Sequence, residues 1–300
     1  MTVFDVLGFA PIARGALVLV VAGTIFPLVG VFVLRLNLIT LRFALMHSSL
    51  LGSAVALAAG WSPLFAGLVA NTILISFVAS VGGRTRASAS HVTTFFMVFT
   101  IGLAFAILYR FDVPARESLG LLWGNIFALT PTDAAVTAGF ALIVVVIISL
   151  LFGRITAVLY DRDIAFTSGV NEKAINAAIL FMVGFTITLV MGLIGALLLD
   201  AVLILPALIA GFTAKSTRSL FITASLWGLV ISVSGFVFAV EIDIPASSGV
   251  TLVGASVLGL LAAFRRVSAW RATLHSGPVP AVTPVSDIPD SHIHESKETV

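Results

Sequence analysis

The chain has 300 residues, 59% of them hydrophobic and only 10% charged, with a mean hydropathy of +1.17 and a net charge of +2. Soluble domains carry about 25% charged residues, so this composition excludes a soluble catalytic domain and requires lipid over most of the surface. The absence of cysteine excludes disulfides, thiolate metal sites and cysteine nucleophiles.

In chain order, residues 1–11 show neither a charged n-region nor a small-residue cleavage site, so no removable signal peptide is expected. Apolar runs of near bilayer-crossing length then predict spans at 15–34, 41–60, 62–81, 92–109, 134–153, 174–194, 197–213, 219–240 and 248–264. The expected fold is all-α: a polytopic integral membrane protein of about eight or nine transmembrane helices in the cell (inner or plasma) membrane. The membrane domain is expected to fill residues 1–270, and 271–300 to form a tail. The sixteen Lys and Arg fall mostly between spans, where they set topology rather than bind nucleic acid. Arg35 and Arg42, Arg84 and Arg86, Arg154 with Arg162 and Lys173, Lys215 with Arg218, and Arg265 with Arg266 occupy alternate connections, which places these in the cytoplasm. Arg110, Asp112, Arg116, Glu117, Glu241 and Asp243 then lie outside.

Residues 119–129 are apolar but too short to cross, and predict a re-entrant or interfacial helix with Trp123 near the head groups. The longest polar connection between spans runs from Tyr160 to Lys173. Within it Ala165 and Gly169 lie four apart, on one face of a helix, and Asp161 and Asp163 suit that helix's N-terminus. Such a flat face can dock another protein, and an ordinary solvated loop reads equally well. Gly211-Phe-Thr-Ala-Lys215-Ser216 lacks the glycine before the lysine and the preceding strand of a nucleotide-binding loop. Any ATP must be hydrolysed by another chain, and this chain is not expected to be an enzyme.

Asp200 is the only acidic residue inside any predicted span. A carboxylate in hydrocarbon costs several kcal/mol unless it is paired, protonated or facing water, so Asp200 marks a candidate polar pathway. A structural link to an arginine such as Arg14 is the plain alternative. His47 in the second span is a candidate ligand or a neutral imidazole bonded to a helix carbonyl. His91 reads as interfacial, Glu241 and Asp243 as a polar loop or a cation-attracting entrance, and His292, His294 and Glu295 as part of a solvated tail.

Five stretches, in order, resemble the permease subunit of metal-ion (zinc, manganese or iron) ABC importers. Val31 to Arg35 with His47-Ser-Ser-Leu-Leu-Gly52 resembles the family's first cytoplasmic turn and the helix after it. Leu122-Trp-Gly124-Asn-Ile-Phe127 resembles its short Leu-Phe-Gly helix, and Asp161 to Gly169 its coupling helix. Gly195 to Ala210 and Gly235 to Pro245 resemble its later segments. The resemblance implies an inward permease for a divalent metal, with no permanently bound cofactor. The implied partners are a cytoplasmic ATPase on Asp161, Asp163, Ala165 and Gly169, an extracellular or periplasmic metal-binding protein, and a second permease copy, most simply a homodimer, within membrane lipid. The chain departs from the pattern at Phe43, where the family carries Asp four residues before the histidine, and at Arg42 beside it. The expectation is relocation: Asp200 supplies the carboxylate that Phe43 does not, and His47 with Asp200 forms a mixed N/O metal site. An ion-gradient-driven carrier using Asp200, and a same-fold permease for a non-metal solute, are the alternatives.

Overall fold

A computed structural model describes residues 8–81, 86–114, 124, 126–160 and 169–275. Nine long helices account for nearly all of them: α1 Ala10–Arg35, α2 Ile39–Ala59, α3 Pro63–Val81, α4 Arg86–Arg110, α5 Pro131–Tyr160, α6 Glu172–Ile194, α7 Ala196–Thr213, α8 Thr217–Ile242 and α9 Ala246–His275. Among the described residues all nine contain a stretch long and apolar enough to cross a membrane, the upper end of the range expected. A helix bonds its own backbone polar groups, which is why a chain this apolar crosses lipid in this form. Of the stretch 119–129, residues 119–123 and 125 lie outside the described residues, and Ile126–Ala128 form a single 3-10 turn. The proposed coupling residues Asp161, Asp163 and Ala165 also lie outside them, whereas Gly169 sits in an exposed turn with φ +70°.

The helix ends follow from local chemistry. Thr130 and Asp133 close a reciprocal cap around Pro131, in which the Thr130 hydroxyl and amide donate to Asp133 Oδ2 (2.7 and 2.9 Å) and the Asp133 amide donates to Thr130 Oγ1 (3.1 Å). Asn171 caps α6 by accepting from the Ala174 amide, and Ser216 caps α8 by accepting from the Ser219 amide. Ser216 therefore serves the helix, not a phosphate. Gly60 and Asp243 end α2 and α8 in the left-handed region.

One compact unit ends at Leu261, and a second begins at Ala262, whose described part is the end of α9. In the first unit α1 is the hub, packed on α7, α8, α5, α6 and the 3-10 turn. A second group forms around α2, which packs on α3 and α4. α6 touches both groups, whereas α1 and α2, though consecutive, meet only at their shared end. α4 and α5 are mostly unburied and present Phe95, Phe99, Leu142 and Leu150 outward, an apolar surface suited to lipid.

Close packing at the hub depends on missing side chains. Pro27 has no amide proton, so the carbonyl of Gly23 one turn earlier loses its helical donor. That carbonyl lies against Gly228 of α8, where a Cβ would overlap it and the Pro27 ring. One residue along, the Ser225 hydroxyl donates to the Thr24 carbonyl at 2.5 Å. Gly30 brings α1 equally close to the Leu203 carbonyl of α7. Such small-residue seams supply the dispersion contact that holds helices together where no hydrophobic drive exists between them.

The second group is tied to α6 by a buried polar cluster. Asn71 of α3, fully buried, donates from Nδ2 to Ser49 Oγ of α2 (2.9 Å) and to Thr188 Oγ1 of α6 (2.7 Å), with the Gly184 carbonyl at 3.3 Å. The two hydroxyls are 2.9 Å apart, and Thr188 also donates to Gly184. Asn71 Oδ1 has no partner.

Substituting Leu for Gly228 should lower stability in detergent by about 1–3 kcal/mol, because α1 and α8 must separate. The same change at Gly102, where no atom stands near, should leave the melting temperature unaltered. Asn71→Leu should cost only about 1 kcal/mol in a denaturant titration. Ser49 and Thr188 keep each other as partners, and the substitution removes the unpartnered oxygen.

Candidate functional site

The site lies where the two helix groups face each other. Arg42, in the first turns of α2, is only 5% exposed at its side chain and forms an ion pair with Asp200 of α7, Nη1 facing Oδ1. The chain reaches α7 through Gly195, whose φ of +90° with ψ of 160° is accessible only to glycine at little strain. That single residue separates α6 from α7 and lets a new helix begin four positions before Asp200. Arg14, the cation considered as a link for Asp200, donates instead to the Leu129 carbonyl at 2.6 Å.

The pair is asymmetric. Asp200 Oδ1 is buried, yet the Asp200 side chain is 43% exposed, so its outward face is carried by the remainder of the carboxylate. The guanidinium of Arg42 stacks over the Phe43 ring, 4.1 Å from its centroid. Its buried Nε meets no acceptor. The buried Nε and Nη1 are therefore served by one carboxylate oxygen and an aromatic face, a sparse environment for a cation.

His47 lies one turn beyond Phe43 and is half-buried. Its Nδ1 is 2.7 Å from the Phe43 carbonyl. A carbonyl only accepts, so Nδ1 carries a proton, and in the neutral ring the lone pair is on Nε2. This is the bond expected of the plain structural reading, and it also fixes the tautomer that a metal-ligating imidazole needs. Phe43 thus serves both neighbours, its ring facing Arg42 and its carbonyl facing His47. No hydrogen bond joins His47 to Asp200. Among the described residues no three possible ligands from His, Asp, Glu and Cys cluster together.

The remaining candidates stand apart. His91, Glu241 and Asp243 are exposed. His292, His294 and Glu295 lie outside the described residues. A cavity of about 370 Å³ between α3, α5 and α6 is walled by Leu64, Phe140, Phe185 and Leu189 among others, and its lining offers no group for a cation. The role of Arg42 as the partner of Asp200, and the cluster of Ser49, Asn71 and Thr188, were not reached from sequence. The signal for Arg42 was present, since it is a cation within a predicted span.

Comparison with known proteins agrees with this architecture. The model of the ABC 3 transport family matches residues 9–265. The manganese transport system membrane protein MntC of Halalkalibacterium halodurans is 21% identical over 86% of this chain and 88% of its own length. The manganese import system permease protein ScaB of Streptococcus gordonii is 23% identical over 79% of this chain and 85% of its own. Among solved structures, PsaBC from Streptococcus pneumoniae, in complex with Fab, superposes with a TM-score of 0.76 at 21% identity, covering 86% of this chain and 93% of that one. The family match spans nearly all of the membrane helices, and the chain belongs to the ABC 3 transport family.

Proposed function

We propose that this chain is the permease subunit of an ATP-driven importer of a divalent transition-metal ion, manganese before zinc or iron. The single observation that carries the reading is the half-exposed carboxylate of Asp200 on a membrane-spanning helix. Supporting it is His47, whose Nε2 lone pair is free because Nδ1 is committed to the Phe43 carbonyl. One carboxylate oxygen and one imidazole nitrogen make a weak mixed site that suits manganese, iron or zinc. Weakness is required, because a transported ion must leave. The manganese named for MntC and ScaB orders the three ions.

One copy supplies too few ligands for a stable coordination sphere, which favours a dimer with both copies contributing at the pathway. The family match argues for a separate cytoplasmic ATPase and an external metal-binding protein. The ATPase would dock on the segment of Asp161, Asp163, Ala165 and Gly169, and the chain itself would hydrolyse nothing. The exposed turn at Gly169, directly before the capped start of α6, would pass the ATPase's movement to that helix. A permease of the same fold for another solute is favoured by one feature, the arginine buried where a cation would travel. Ion selectivity in the assay below decides between them.

In vesicles holding the permease, its ATPase and its binding protein, Asp200→Asn and His47→Ala should each reduce radiomanganese uptake by about tenfold or more. His91→Ala and Glu241→Gln should leave it near wild type. Full metal uptake by both variants would remove Asp200 and His47 from the route. Gly169→Trp should leave ATP turnover running while uptake falls to background, measured side by side in the same vesicles. Uptake that stays coupled to ATP in that variant would place the docking surface elsewhere.

A further inference from the structure

Asp200 already holds a cation, and that cation belongs to the protein. We propose that Arg42 is a tethered competitor of the transported ion: it occupies Asp200 in the empty pathway and is expelled when the divalent ion binds. The inference rests on the metal-permease reading above and specifies how that site is regulated.

Three observations support it. Asp200 spends its buried oxygen on Arg42 while the rest of the carboxylate faces outward, so an arriving ion meets a carboxylate that is already half engaged. Arg42 is held by little else: its buried Nε is unbonded, and apart from the carboxylate its guanidinium has only the face of the Phe43 ring. The pair also spans a seam. α2 belongs to the group with α3 and α4, α7 belongs to the hub with α1 and α8, and α2 and α7 do not pack along their lengths.

Charge then makes the two cations mutually exclusive. A divalent ion on Asp200 would sit within a few ångströms of a guanidinium in a medium that screens poorly, and twice the unit charge doubles the repulsion. A single carboxylate cannot hold both. Binding of the ion therefore releases Arg42 and with it the ion pair between the helix groups. Departure of the ion restores that pair. Phe43 fits this scheme as well. An aspartate there would give Arg42 a second anionic partner on its own helix, whereas a ring cradles the cation without fixing its direction.

The test is concentration-dependent manganese uptake by the complete complex in vesicles. Arg42→Gln should lower the half-saturating manganese concentration about tenfold, the scale of a coupling free energy between two ligands of one site. Arg42→Lys, which keeps the charge, should stay near wild type. A variant that merely damaged the fold would lower the maximal rate and could not improve apparent affinity. An unchanged or raised half-saturating concentration for Arg42→Gln, or the same fall for Arg42→Lys, overturns the competitor role while leaving the metal reading intact. A wild-type complex that moves none of manganese, zinc or iron overturns both. The unmodified chain provides a second measurement that needs no variant. Labelling of Arg42 by an arginine-selective dicarbonyl, followed by peptide mass spectrometry, should rise several-fold in saturating manganese. Unchanged labelling overturns expulsion.

Discussion

A buried guanidinium and a half-buried carboxylate share one contact between two groups of helices, and the rest of the packing has to accommodate it. Neither charge would be tolerated alone in hydrocarbon, since each would demand water or a counter-ion. Together they are tolerable, but a pair with so few supporting hydrogen bonds adds little net stability over an apolar alternative. The fold must therefore be held by other means, and it is. Dense seams around α1 and the hydroxyl–amide cluster at Asn71 fix the helices, and the pair is left free to serve a purpose other than rigidity.

The division of labour among the helices follows. α1 carries glycines wherever a neighbour's backbone must approach, and it is among the most buried of the spans. α4 and α5 carry large apolar side chains outward and, with α9, are buried least. α6 is common to both groups: Thr188 reaches α2 and α3, and the chain then turns at Gly195 directly into the helix that bears Asp200. The membrane location and the family follow from this helical architecture together with the family match. Between the groups the architecture leaves few polar side chains, chiefly the Arg42–Asp200 pair and the cluster of Ser49, Asn71 and Thr188.

The spans were legible because the signal for a membrane helix is additive: twenty apolar residues in succession need no knowledge of their neighbours. Asp200 and His47 were legible as exceptions to that same rule, and the order of weak motifs was enough to reach the family. What could not be read was pairing. Arg42 and Asp200 lie far apart in sequence on helices that hardly pack, so no periodicity links them, and Arg14 was the cation considered instead. Asn71 was passed over for a related reason. One amide in an apolar helix is silent until Ser49 and Thr188 are known to face it. The role of His47 was ambiguous in principle, because a bond to the Phe43 carbonyl serves a structural imidazole and a ligand alike.

The proline in α1 has a mechanical corollary. By releasing the Gly23 carbonyl it gives α1 and α8 a meeting face made of backbone, with glycine on both sides. Side chains still interlock along that stretch: the Pro27 ring fills the gap left by Gly228, Ser232 fills the gap left by Gly23, and the Ser225 hydroxyl holds the Thr24 carbonyl, so sliding would unseat all three. Helix pairs toothed in this way move between discrete settings and do not glide. One of the tightest contacts of the hub is thus shaped as a latch, which holds α1 and α8 in a single register.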